Sequence, residues 1–384
     1  MKTINYQFKM LSAIAILAVV SGHSYNDGGI PLFFHWFTEY SFHLPLFVFI
    51  SGYFYKDRIV NRNFMKEVVW RKFKQLFVPL FFWNLVYGIF CQLISVKGFF
   101  PDAQLNLKSF FYLPFVSQHQ FVFNCPAWFI TPLFMCYVIY PLIRMIVNRF
   151  GKIGDIVFQL ISIMIFIAAF EINKMPVQWQ HPDMRVFVSR FALLFPFFHF
   201  GYFFKQYLEK ILVKCKMLYV MLLCSGVEWI MIFLTQDHDL DYGICWAADF
   251  QDLNSIVAYV SGVNAILFFY ALTSVLVKIV PAKFYMKIAD HTYDIMMHHL
   301  TGFFLVNTFI AVLSKARGFA FDWNAYKTNI YYQYDPFYEF SIIYLIGGFS
   351  FAMLIALGSE KVIKWYKSRR NYYSKKNGRS VCKR

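Results

Sequence analysis

The chain has 384 residues, 59% of them hydrophobic and 22% aromatic, with only 15% charged. Soluble domains carry roughly a quarter charged residues, so a soluble fold is excluded, whereas a bilayer hides apolar surface that this chain has too little polar surface to cover. The net charge of +16 would point to nucleic acid in a soluble protein, but its distribution along the chain points to membrane topology instead.

The first apolar run, residues 10–26, follows Lys2 and Lys9 as a signal peptide would. It ends in Ser21, Gly22, His23 and Ser24 rather than in a small-x-small cleavage site, so it reads as a retained span. Further spans are expected at 39–55, 75–96, 126–147, 153–171, 186–204, 216–235, 253–279, 290–313 and 338–359. The expected fold is all-α, a polytopic integral membrane bundle of about 10 transmembrane helices. It fills residues 1–363, with 364–384 as a basic tail lacking structure of its own. With the N-terminus inside, the inner segments hold 29 of the 37 Lys and Arg, and the outer segments hold 8. Both termini are then cytoplasmic, and one outer loop, carrying Asp237, Asp239, Asp241, Asp249 and Asp252, is acidic. The basic excess reads as orientation and contact with anionic membrane lipid, with no nucleic-acid partner.

No internal repeat or Gly-rich phosphate loop interrupts the spans. The 7 cysteines form no C-x-x-C; only Cys125 and Cys245 fall on outer segments, where a disulfide is conceivable. Adjacent His298 and His299 point about 100° apart on a helix and cannot chelate one ion. The Asp237, His238, Asp239 and Asp241 group reads as a solvated acidic loop, so no metal site is expected.

An ionisable side chain inside a span costs about 3 kcal/mol on insertion scales and is a functional candidate by default. His23, His43, Arg190, His199, Glu228, His298 and His299 all qualify. His199, set among Phe195, Phe197, Phe198 and Phe200, reads as structural, and Glu228 and Arg190 as a pair within the bundle.

The run Phe42-His43-Leu44-Pro45-Leu46-Phe47-Val48-Phe49-Ile50-Ser51-Gly52 closely resembles the F-H-x-P-x-F-x-x-x-S-G signature of the second span in the bacterial acyltransferase 3 family, polytopic enzymes that acylate cell-envelope carbohydrates. The segment from Ala13 to Ser24 resembles that family's first span, which ends in an essential histidine. Arg71-Lys72-Phe73-Lys74-Gln75-Leu76-Phe77-Val78-Pro79 resembles its basic approach to the third span. Pro126-Ala127-Trp128-Phe129 is similar to the opening of the fourth, and Thr292-Tyr293-Asp294-Ile295-Met296-Met297-His298-His299 to a late S-x-x-I-Y-x-x-H element. The matches keep their order along about three quarters of the chain, and the branch most resembled is the polysaccharide O-acetylase-like one.

The resemblance implies a catalytic His23, as general base or acyl-accepting group, in a multi-pass enzyme of the bacterial cytoplasmic membrane. It implies acyl-CoA, acetyl-CoA foremost, as co-substrate without a bound cofactor, and a carbohydrate or lipid-linked glycan as acceptor. Two departures bear on the donor. Ser12 stands where the family has a cation eleven residues before the histidine, and Gln75 replaces a second arginine. Lys9, one turn before Ser12, and the cations Arg71, Lys72 and Lys74 are then the candidates for the donor phosphates. His43, at a depth comparable to His23, is expected to orient the acceptor or to donate to the tetrahedral oxyanion. Ser51 lies about 12 Å deeper and rotated roughly 80°, so it cannot share one reactive point with His43. Trp128 is a surface on which a sugar can stack, and His299 joins the substrate-binding candidates. Trp36, Trp128, Trp179, Trp246 and Trp323, on outer segments, also suit an interfacial belt. The competing readings are a polysaccharide exporter, which predicts charge lining a pore through the whole thickness, and a non-catalytic subunit of a polysaccharide-synthesis complex, in which His23 is dispensable.

Overall fold

The computed structural model describes residues 4–24, 37–116, 121–174, 184–235, 240, 242–244, 250, 253–334, 336 and 341–376. Trp36, Trp179, Trp246, Cys245, the acidic loop residues Asp237, His238, Asp239, Asp241, Asp249 and Asp252, and residues 377–384 lie outside them. The described residues are 83% helical, with no strand among them. In lipid every backbone N–H and C=O must find a partner within the chain, which a helix provides from its own segment.

The principal helices are α1 Tyr6–His23, α2 Glu39–Tyr53, α3 Arg62–Ser95, α4 Ile130–Val147, α5 Gly151–Ile172 and α6 Met184–Phe203. They continue with α7 Met217–Leu234, α8 Ser255–Ile279, α9 Ala282–Asp290, α10 Thr292–Arg317, α11 Trp323–Thr328 and α12 Ser341–Lys376. End residues aside, the described part of each expected span falls on helix, the one at 126–147 beginning in the 3₁₀ segment Val122–Phe129. Among the described residues seven helical runs are long and apolar enough to cross a membrane. One of them, Val122–Ile172, contains both α4 and α5, joined where Gly151 takes a φ of 54°. The last helix continues past the expected boundary at Ile363 as far as Lys376. Polar caps set where helices begin: Asn5 accepts from the Phe8 N–H at 3.1 Å and Asn61 from the Phe64 N–H at 2.8 Å.

α1 is the axis of the bundle. It touches α2, α8, α9, α10 and α12, and from Phe8 to Gly22 nearly every side chain is buried. A helix hydrophobic all round belongs at such a centre. Two aromatic cores flank it: one joins α1, α2 and α4 to α8, and the other joins α3, α10, α12 and the 3₁₀ segment Val122–Phe129. The rim faces lipid through residues such as Leu93, Met164, Leu223 and Leu354.

Lipid tails are as apolar as leucine, so close packing and polar contacts, rather than burial from water, hold such helices together. At the α2–α6 crossing, a Cβ on Gly52 would fall on the Phe198 carbonyl and one on Gly201 on that of Phe49. At the α10–α12 crossing, a Cβ on Gly302 would lie 2.6 Å from the Gly348 Cα. Only glycine permits these approaches.

Candidate functional site

A cavity of about 300 Å³ runs beside α1 from Ser12 to His23, eleven residues or roughly 16 Å of helix. Its walls are mostly apolar, among them Ile16, Val19, Leu44, Phe47, Leu133 and Met296, with His23, His43, Tyr40 and Trp128 also on the wall. We refer to it as the chamber.

At one end of the chamber two histidines from opposite parts of the chain meet. His23 Nδ1 and His299 Nε2 are 2.9 Å apart, with nearly parallel rings. The other ring nitrogen of His299, Nδ1, lies 3.0 Å from the Ile295 carbonyl. A carbonyl only accepts, so in neutral His299 the proton sits on Nδ1 and Nε2 carries the lone pair. The bond between the rings is then His23 Nδ1–H donating to His299 Nε2, which leaves the lone pair of His23 on Nε2. Backbone contacts fix this end of α1 as well: Gln333 donates to the His23 carbonyl at 2.7 Å and Tyr40 to the Gly22 carbonyl at 2.9 Å. Ser21 donates to Glu39 at 2.6 Å, tying α1 to the start of α2.

His43 follows the same logic, since its Nδ1 donates to the Glu39 carbonyl and its neutral lone pair is therefore on Nε2. The edge of the Tyr40 ring packs against both His23 and His43, with centroids 6.0 and 5.3 Å away. Of the two expected roles for neutral His43, accepting a hydrogen bond from a substrate hydroxyl fits this tautomer; donating to an oxyanion does not. Trp128 stands on the same wall with the Arg190 guanidinium 4.6 Å from its ring centroid.

The neighbouring residue behaves as helix geometry requires. His298 points away from His299 into α3, where its Nδ1 accepts from the Tyr87 hydroxyl at 2.6 Å and its ring meets Trp83 edge-on. His199 is structural: Tyr140 donates to its Nδ1 at 2.9 Å and its Nε2 donates to the Asp155 carbonyl at 3.0 Å. Glu228 takes hydrogen bonds from Ser261 and Asn264 rather than from Arg190. The Cys125 sulfur lies 3.1 Å from the Tyr331 hydroxyl, while Cys245 lies outside the described residues. Among the described residues no three His, Cys, Asp or Glu side chains gather as metal ligands would.

A second cavity, of about 330 Å³, opens at the end of the bundle where α1 begins. Lys56, Arg58, Arg71 and Lys72 line it, together with Tyr55 and Tyr137. Lys74 does not: it is exposed and stacks on Trp70 with its ammonium 4.6 Å from the ring centroid. Lys9 is also taken, by an ion pair of 2.6 Å with Asp290 of α9. Of the expected donor-side cations, then, Arg71 and Lys72 reach this vestibule, and Lys56 and Arg58 join them without having been singled out in the sequence. Between those two, Asp57 is clamped by Tyr202 at 2.5 Å and by Arg144 at 3.2 Å. Partial burial raises the Asp57 carboxyl, but hydrogen bonds from Tyr202 and Arg144 outweigh it and hold the group below its ordinary value. Arg144 also binds Asp155, so α4, α5, α6 and the α2–α3 loop are joined at the vestibule rim.

A paired imidazole at the end of a largely apolar chamber, with a basic vestibule beyond Ser51, lies inside a polytopic helical bundle. Residues 5–359 match the acyltransferase domain of the acyltransferase 3 family. The chain belongs to that family and is a multi-pass membrane acyltransferase. No curated protein and no solved structure matches it.

Proposed function

We propose that the protein moves an acyl group, acetyl foremost, from cytosolic acyl-CoA to a hydroxyl of a cell-envelope or exopolysaccharide sugar. It works in the cytoplasmic membrane of a bacterium, with both termini in the cytoplasm. The observation that carries this reading is the oriented His23, whose Nε2 lone pair is set by the relay from His299 to the Ile295 carbonyl. An unactivated hydroxyl is a poor nucleophile at neutral pH, so its proton must leave as attack occurs. The acceptor O–H gives its proton to His23 Nε2 while its oxygen forms a bond to the thioester carbon. The tetrahedral intermediate then collapses with cleavage of the C–S bond, and the departing thiolate takes the proton back from His23. While His23 carries that proton, its Nδ1–H donates to His299, much as the third member of a hydrolase triad supports its histidine. His43 Nε2 and the Trp128 ring orient the sugar, and Lys56, Arg58, Arg71 and Lys72 take the donor phosphates.

An exporter would require charge along the whole path, whereas the chamber wall is largely apolar and the cations collect at the vestibule. The test is His23→Ala, with acylation of envelope glycans measured by mass spectrometry per molecule of membrane-inserted protein. Loss of the base should lower transfer by about 10² to 10⁴ without lowering abundance. Normal acylation would refute the mechanism and favour the exporter or the non-catalytic subunit.

A further inference from the structure

Chamber and vestibule meet at one residue, Ser51, which lines both. Two helices step from one space to the other in a single turn. On α3, Leu76 faces the chamber and Lys72 the vestibule; on α4, Leu133 faces the chamber and Tyr137 the vestibule. Residues four apart lie on one helix face about 6 Å from each other, so the two cavities are stacked end to end rather than side by side. Three side chains stand at the level between them. Tyr137 lies beside Ser51, and the Lys72 ammonium sits 3.3 Å from the Tyr137 ring centroid. Ser51 cannot withdraw, because its neighbour Gly52 is pressed against the α6 backbone. The movable parts of the partition are therefore the Tyr137 ring and the lysine that covers it.

We propose that Tyr137 is a gate between the donor vestibule and the histidine chamber, latched by Lys72 and released when an anion in the vestibule draws Lys72 away. An ammonium prefers an anionic oxygen to an aromatic face, since charge-assisted hydrogen bonds are the stronger contact. A diphosphate-bearing donor would thus loosen the latch only once its own charged end is seated, with its acyl end directed at Ser51. The closed gate keeps unloaded thiols in the vestibule from the acyl-accepting end. The proposal deepens the acyl-CoA reading and rests on it for the identity of the anion, but the gate itself can be read without catalysis.

The experiment uses the full-length protein in sealed inside-out membrane vesicles, so that membrane-impermeant reagent and anions meet only the vestibule side, with Cys215→Ser, Cys245→Ser and Cys382→Ser, and a reporter thiol in the chamber from Leu133→Cys. Modification of position 133 by a small anionic thiol reagent is followed by mass spectrometry. The parent should react slowly, and Tyr137→Ala should react at least tenfold faster whether or not an anion is present. Inorganic pyrophosphate and desulfo-coenzyme A, which lacks a thiol, should each accelerate the parent, and Lys72→Gln should remove that acceleration. Tyr137→Phe, which keeps the ring and its lysine, should stay slow and serves as the folded control. Equal rates for the parent and Tyr137→Ala would overturn the gate, and so would a parent rate that neither anion changes. Acceleration by pyrophosphate but not by desulfo-coenzyme A would uphold the gate and count against acyl-CoA as the donor.

Discussion

Replacing His299 by leucine isolates the tautomer argument from the presence of the base itself. In the parent, His23 Nδ1–H has one acceptor, His299 Nε2 at 2.9 Å, and that acceptor is oriented by the Ile295 carbonyl. Leucine leaves His23 in place and removes only the acceptor. The bond matters most once His23 has taken the substrate proton, and a hydrogen bond involving a charged partner contributes about 1.5–3 kcal/mol. At about 1.4 kcal/mol per factor of ten, the expected loss in kcat is about 10- to 150-fold, smaller than for His23→Ala. His299 lines neither cavity, so KM for donor and acceptor should change less than twofold. His299→Gln supplies an amide oxygen near the position of Nε2 and should restore most of the lost rate. The assay is initial-rate acyl transfer at saturating donor, normalised to membrane-inserted protein. Unchanged turnover in His299→Leu would refute the reasoning, as would a His299→Gln variant no better than leucine.

Three further outcomes follow from the geometry. Lys72→Glu, which places a carboxylate in the vestibule, should raise the donor KM at least tenfold, whereas Lys74→Glu, outside it on Trp70, should leave the donor KM within twofold; donor titrations of the two variants decide this. Gly52→Ala must push α2 off the α6 backbone and should destabilise the protein by about 1–3 kcal/mol, read as a lower Tm in detergent. Asp57 has a folded-state carboxyl held below its ordinary value, so its contribution is full above about pH 4 and is lost as pH falls through the depressed value. The Tm gap between the parent and Asp57→Asn should accordingly shrink on acidification, and a gap that is independent of pH would contradict the clamp.

The helical segments were legible in the sequence because a long apolar run has few other fates in lipid, and the described parts of the ten expected stretches fall on helix, end residues aside. His23 stood out because a histidine closes an otherwise apolar helix. His299 was a candidate too, but its pairing with His23 was not legible, since the two stand 276 positions apart with no spacing signal and only the α1–α10 packing brings them together. Vicinal geometry had already separated His298 from His299. It could not say which of them would turn toward α1. Lys9 and Lys74 illustrate the limit from the other side: both have the charge and the depth, but Asp290 holds one and Trp70 the other. Contacts of that kind are settled by tertiary packing and leave no local trace, and the rim cations Lys56 and Arg58 went unnoticed for the same reason.

The glycine seam between α10 and α12 also bears on how the chain can vary. Gly302 and Gly348 nearly touch, and a Cβ on Gly348 would lie 3.1 Å from the carbonyl of His299 itself. A Cβ on Gly348 would also meet the Phe303 ring and one on Gly347 the Val306 side chain, so neither glycine can gain a side chain unless backbone or neighbours move, and the seam cannot drift as an ordinary core can. Lipid-facing positions of α12 such as Leu354, 69% exposed, are free to change among apolar residues. Sequence divergence along α12 should therefore be sharply striped, with an almost immutable line two residues wide beside a permissive surface. A random-mutagenesis library selected for function would reveal that stripe directly, on a helix that contributes no side chain to either cavity.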